Sequence, residues 1–319
     1  MRSPLAAAIL LAVSCGAGAQ MSTQEYPLPP RITAHDVWAD PAPGGPVWFS
    51  GQSSGNGGRL DPKTGKVDLI PLGRGSAPHG VVLDKDGSAW FTDGGQNAIV
   101  RVDAKTLAVT KWPLPQETGY TNLNTAIFDK AGVHWFTGQS GIYGRLDPKS
   151  GAMKVFDAPK GRGAYGIHVT PEGSLYFASL AGSYIGRIDA ATGKAQVIEP
   201  PTRDQGARRV WSDSKGMVWV SEWNSGNLSR YDPKNNAWKT WKAPGDRPHV
   251  YAVYVDETDR PWISEWDKQV MMRFDPATEK FDSFASSSGT ANVRQIHGRR
   301  GEVWTPESAS GKLVVYRYR

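Results

Sequence analysis

The stretch RPHVYAVYVDETDRPWISEW, residues 247 to 266, sets His249 near one end and Glu265, followed by Trp266, at the other. A neutral imidazole can accept a proton near pH 7. The same residue types recur along the chain: His79 and Asp93, Glu222 followed by Trp223, Tyr251, Arg208 and Arg209, and Asn292, Arg294 and Glu307. Tryptophans can supply the flat apolar wall that ligand pockets use. An arginine such as Arg294 is suited to holding a carboxylate or phosphate and cannot act as an ordinary base. Whether these residues form one site depends on the elements that carry them.

Those elements repeat. Trp48, Trp90, Trp135, Tyr176, Trp219, Trp262 and Trp304 are spaced by 42, 45, 41, 43, 43 and 42 residues. A glycine precedes the aromatic by three residues in six copies, with Asp259 as the exception, and an Arg-x-Asp follows about ten residues later in six. Short apolar runs such as GVVL and YAVYV, cut by turns, read as four strands per unit. Seven four-stranded units of this length make an all-β, seven-bladed β-propeller. The last copy stops before its fourth strand, and QEYPLPP at 24 to 30 resembles TKWPLPQ, so the N-terminal strand is expected to close the last blade.

In such a blade, the start of strand one lies beside the end of strand two, around the central channel. That topology gathers His79, Asn124, Tyr165, Arg208, Arg209, His249, Tyr251, Asn292 and Arg294 with Asp93, Glu222, Glu265 and Glu307 at one mouth. Hydrophobic blade packing does not require them. The Arg-x-Asp residues are expected in blade turns and ion pairs between blades, and the repeat aromatics in the core. His35, His134 and His168 are expected to be structural or exposed, and His297 structural. Arg208, Arg209 and Arg294 could also simply neutralise Glu222, Glu265 and Glu307 in a channel network.

The chain opens MRSPLAAAILLAVSCGAGAQ, with one arginine, an apolar run too short to span a bilayer, and Ala17-Gly18-Ala19. This reads as a signal peptide over 1–19 and a single domain over 20–319, periplasmic or secreted, with lipidation at Cys15 as an alternative processing route. Beyond the leader there is no cysteine and no second long apolar stretch, so neither an internal disulfide nor a membrane span is expected. The 37 Lys+Arg against 31 Asp+Glu are scattered through turns, so a nucleic-acid partner is not expected despite a net charge of +6. A small-molecule ligand and a monomer are expected.

The segments PHGVVLDKDGSAWFTDGGQNAIVRVD, RPHVYAV followed by WISEW, and ANVRQIHGRRGEVWTPESASGKLVV resemble the virginiamycin B lyase (streptogramin lyase) family across all seven units. The resemblance implies elimination across the ester of a cyclic depsipeptide, without water and with magnesium at the channel mouth. Such chemistry needs a base for the proton alpha to a carbonyl and a cation for the developing charge, and carboxylates suit magnesium. The resemblance places His249 at the family's penultimate-unit histidine and Glu307 at its last-unit metal carboxylate; in a lyase built on it His249 is the candidate base, Glu265 and Glu307 surround the metal ion, and Arg294 is a catalytic anion clamp. His79, Asp93, Tyr251, Trp223 and Trp266 are expected to bind substrate. The family's last unit begins Glu-Pro-His, where this chain has Asn292-Val293-Arg294. Two other readings stand beside a carbon–oxygen lyase: a non-catalytic ligand- or protein-binding propeller, and a gluconolactonase-like lactonase using Glu222, Asn124 and Asp93.

Overall fold

The computed structural model describes residues 10–12 and 21–318. Six four-stranded antiparallel sheets and a seventh, completed from both chain ends, follow one another as the blades of a ring. The first strands of successive blades, among them Pro78–Leu83, Leu123–Phe128, Ala164–Val169, Ala207–Ser212 and Val250–Val255, lie side by side around the axis. The closing strand is Ser22–Pro27, paired antiparallel with Lys312–Arg317. It starts before the expected 24 to 30 and ends at Pro27, ahead of Pro29 and Pro30, which have no N–H to give a ladder. Most of the expected leader falls outside the described residues. Leu10–Ala12 alone pairs with Ser22–Gln24 as an extra outer strand.

Local chemistry explains the repeat. Each second-strand tryptophan must bury its ring and still satisfy its N–H. The indoles of Trp90, Trp135, Trp219 and Trp262 donate to Asp84, Asp129, Asp213 and Asp256, each six residues earlier, at 2.8, 2.8, 3.0 and 2.8 Å. Burying such a ring is worth roughly 4–6 kcal/mol by area. The expected hairpin glycines behave as proposed at Gly87, Gly132, Gly173, Gly216 and Gly301, which have φ of 79, 83, 99, 78 and 74°. In blade one Gly44, not Gly45, takes that conformation, and the exceptional Asp259 adopts φ 60° itself. The aspartates of Arg-x-Asp cap the following turn, as where Asp61 accepts from the Lys63 N–H and the Thr64 hydroxyl. The arginines lie over the repeat aromatics and reach the next blade, as Arg59 does to the Ala104 carbonyl at 2.9 Å.

One regular device joins the blades near the axis. Ser50, Thr92, Thr137, Ser221 and Ser264 each accept a hydrogen bond from a backbone N–H at or just before the first strand of their own blade and donate one to a carbonyl at or before the first strand of another. The carbonyls belong to His79, Asn124, Tyr165, Tyr251 and Val293. This hydroxyl relay and a bulge in five first strands present those residues to the channel.

The other end of the channel is filled. Trp38 of blade one and Trp211 of blade five approach to 6.2 Å between ring centroids, with His297 stacked on Trp38 at 3.8 Å and His168 on Trp211 at 4.0 Å. His134 is fully buried beside Trp90 and Phe128. His134, His168 and His297 are therefore structural, as expected. His35 is not: it turns into the polar half of the channel.

Candidate functional site

The carboxylates at the ends of the second strands are closed. Glu265 is 2% exposed and accepts the backbone N–H groups of His249, Asp267 and Lys268 at 3.0, 3.1 and 2.8 Å. Asp93 accepts the N–H groups of Ala77 and Gln96, at 2.9 and 3.0 Å, and is also bonded by Ser76 and the Gln96 amide. Glu222 is held by Ser225, Asn227 and Ser229. Burial nevertheless raises its pKa, against those three donors. Glu307 accepts from Ser286, Ser288 and Ser310 at 2.9, 3.2 and 2.9 Å, with the Lys312 ammonium 3.5 Å away. These side chains lock the turns between strands two and three, together with the loops leading into strand one. The arginines do not neutralise them: the charge network expected between the two sets does not form.

The channel-facing ring is different. Six of its members, His79, Asn124, Tyr165, Arg208, Tyr251 and Val293, each lie eleven residues before the second-strand aromatic of their own blade. That constant offset is the signal in the sequence that sets these six apart from neighbours such as Arg209 and His249. In blade six it selects Tyr251, and His249 stands two residues further out, on the rim.

At the rim, His249 Nδ1 lies 2.6 Å from Asp267 Oδ2, and its Nε2 has no hydrogen-bond partner among the described residues. Its side chain is 36% exposed and its ring lies 4.7 Å from that of Trp223. Trp266 stacks on Tyr251 at 5.3 Å and faces Trp223 at 5.9 Å. The Arg208 guanidinium lies 3.5 Å from the centroid of Tyr251, 4.3 Å from Trp223 and 4.9 Å from Tyr165. Arg294 lies 5.1 Å over Trp266 and bonds Ser308 and the Asn292 carbonyl. So His249, Tyr251, Trp223, Trp266 and Arg294 form one aromatic and cationic surface with Arg208, which sequence reasoning left outside the ligand set.

Deeper in the channel, Arg209 crosses from blade five to Asp36 of blade one, with Nη2 3.2 Å from both carboxylate oxygens. Burial opposes ionisation of Asp36, but Arg209, with His35, overcomes it and holds the carboxyl well below the usual range. His35 Nδ1 is 2.8 Å from Asp36 Oδ1, its ring is 4.1 Å from that of His79, and burial lowers the pKa of both imidazoles. Tyr165 and Tyr251 share a 2.5 Å hydrogen bond. Burial opposes ionisation of this pair; Arg208 and then Arg209 favour it, and the balance lowers Tyr165 and raises Tyr251. His79, expected to bind substrate, is 4% exposed and sits beneath this layer, bonded to Asn124. His35, Asp36 and His79 offer one donor atom each within 4.8 Å of one another and could hold a metal ion.

A seven-bladed propeller with a plugged channel and a polar, aromatic mouth is the class of protein this geometry defines. The Virginiamycin B lyase family model matches residues 15–263, and the chain belongs to that family. Among solved structures, a streptogramin B lyase superposes with TM-score 0.85 at 20% identity, covering 94% of this chain and 98% of the other. The virginiamycin B lyase of Staphylococcus aureus gives 0.84 at 18% identity over 93% and 99%. A catalytically inactive histidine-to-alanine variant of the S. aureus enzyme, solved with quinupristin, gives 0.84 at 19% over the same shares. No curated protein sequence matches the chain. Among the described residues no helix is long and apolar enough to cross a membrane.

Proposed function

We propose that the protein is an exported carbon–oxygen lyase acting on a cyclic or ester-containing small molecule. The observation that carries this reading is the His249–Asp267 pair at the rim. A carboxylate on Nδ1 fixes the tautomer in which Nε2 carries the lone pair, which is how a general base is oriented. In the reaction, Nε2 takes the proton alpha to a carbonyl, the freed electron pair becomes a carbon–carbon double bond, and the ester C–O bond breaks with the carboxylate leaving. Arg208 and Arg294 supply the positive charge for that anion. Trp223, Trp266 and Tyr251 provide the surface for an apolar ring. Asn292-Val293-Arg294 provides no second histidine, which leaves His249 as the base.

Magnesium at Glu265 and Glu307 does not fit. The Glu265 oxygens are engaged by three backbone donors, and Glu307 faces three hydroxyls and a lysine. The lactonase set is equally committed elsewhere: Glu222 and Asp93 to their turns, Asn124 to His79.

The test is incubation with quinupristin and other cyclic depsipeptides, followed by mass spectrometry. Elimination linearises the ring at unchanged mass, whereas hydrolysis adds a water. His249→Ala is expected to lower the rate about 10²–10⁴-fold. An unaltered rate in that variant, or no turnover of any cyclic ester by the wild type, refutes the reading.

A further inference from the structure

The His35, Asp36 and His79 group lies in blades one and two, beneath the rim and away from His249, and its hydrogen bonding leaves one imidazole nitrogen unexplained. His79 Nε2 is engaged by the Asn124 side-chain amide at 3.1 Å, while its buried Nδ1 has no partner. A buried polar atom without a partner costs about 1–3 kcal/mol. Turning the Asn124 amide end for end keeps both contacts: Oδ1 then accepts from Nε2–H, and Nδ2 donates to the Thr125 hydroxyl, 2.7 Å away, which also accepts from Arg209 and turns its own proton elsewhere. In that state His79 Nδ1 carries a buried lone pair without a partner, beside the His35 ring 4.1 Å away. A second polar group holding the far nitrogen of an imidazole is the arrangement that orients metal-ligating histidines.

Asp36 has capacity to spare. Its oxygens receive three contacts, from His35 Nδ1 and, at both oxygens, from Arg209 Nη2. A carboxylate offers about four lone-pair directions. One therefore remains, and a second is released if His35 turns its nitrogen from Asp36 to an ion. Arg209 keeps Asp36 anionic but also repels a cation, so the site demands donors stronger than oxygen alone. Two imidazoles supply them. Of the three, His35 lines a depression of about 280 Å³ with Thr33, Gln52, Ser53, Arg294 and Ser308, and through His35 the cluster adjoins the mouth.

We propose that His35, Asp36 and His79 form a divalent transition-metal site whose open coordination positions face this depression. Two imidazoles and one carboxylate suit zinc, iron or cobalt, whereas magnesium prefers oxygen ligands and retained water. Arg294, on the wall of the same depression, would hold an anionic group of a ligand bound to the ion. Metal retention involves no turnover, so the site stands or falls separately from the elimination chemistry at His249.

The experiment strips the full-length protein with chelator, dialyses it against zinc or cobalt, and measures retained metal per chain. One equivalent is expected in the wild type, in His249→Ala and in Glu265→Gln, with affinity reduced at least about tenfold in His79→Ala and His35→Ala. No retained metal in the wild type, or equal retention in both channel-histidine variants, overturns the proposal. Should those variants fail to fold, the wild type decides alone. Cobalt held by two imidazoles gives visible ligand-field bands distinct from those of the aqueous ion, and a spectrum identical to aqueous cobalt overturns the site.

Discussion

The two polar rings at the channel mouth are built from similar residue types and do opposite jobs. The outer ring of Asp93, Glu222, Glu265 and Glu307 is charged, buried and satisfied by its own loops. The inner ring of His79, Asn124, Tyr165, Arg208 and Tyr251 pairs with groups of other blades, and the rim residues His249, Trp223 and Trp266 leave a ring nitrogen and ring faces uncommitted. A carboxylate at a propeller mouth is thus a poor sign of a metal site until its hydrogen bonds are counted. Each buried acid here stands where backbone N–H groups or loop hydroxyls would otherwise lack an acceptor.

The contrast can be broken by substitution, and the largest effect falls where the inner layer is as closed as the outer ring. Asp36→Ala leaves Arg209 buried without its counter-charge and is expected to cost about 3–5 kcal/mol in denaturant unfolding. A cost under about 1 kcal/mol would mean that Arg209 finds solvent or another partner. Acid comes next. Burial lowers His134 and His297 to about 3, from 6.5. A histidine kept neutral by folding contributes stability that is complete above its unfolded pKa and is lost as pH falls toward the folded value. The two together are expected to remove roughly 2.7 kcal/mol per pH unit between about pH 6 and 4. His297→Phe should lower the slope in melts taken across the range by roughly 1.4 kcal/mol per pH unit, with His168, also lowered to about 3, still contributing its own share, and an unchanged slope would reject this origin.

Glu265→Gln keeps one acceptor oxygen but sets an amide NH₂ against a backbone donor, and is expected to cost about 1–3 kcal/mol. Its signature is lost stability with ligand binding retained in the folded protein. The smallest stability change belongs to the rim: Trp266→Ala is expected within about 1 kcal/mol of wild type, with ligand binding weakened by isothermal titration. If Glu265→Gln lost binding while Trp266→Ala kept it, the division between the two rings would be wrong.

Most of the architecture was legible because each blade repeats its own explanation. The tryptophan, the hairpin glycine and the Arg-x-Asp turn recur at fixed offsets, and the apolar runs between them gave the strand number. The site was harder. His249 looks like the partner of His79 because both follow proline, yet the two extra residues before Trp262 move it from channel to rim. His35 was missed because blade one also carries two extra residues in its first hairpin, which place it thirteen rather than eleven positions before its aromatic. Glu265 and Glu307 read as ligands because a sequence shows charge without showing which N–H groups already claim it. Arg209 and Asp36 are separated by 173 residues, and only the closed ring brings them together.

The strand that completes blade seven also sets a schedule. Ser22–Pro27 precedes its partner Lys312–Arg317 in the chain by nearly the whole propeller. Until Lys312–Arg317 is available, Ser22–Pro27 has no mate, and blades one and seven have no boundary to share. Contacts of such sequence separation form slowly. The Asp36–Arg209 bridge and the His35 pocket, both dependent on that seam, are therefore among the last features of the molecule to exist, and any ligand they hold would act as a reporter that the circle has closed.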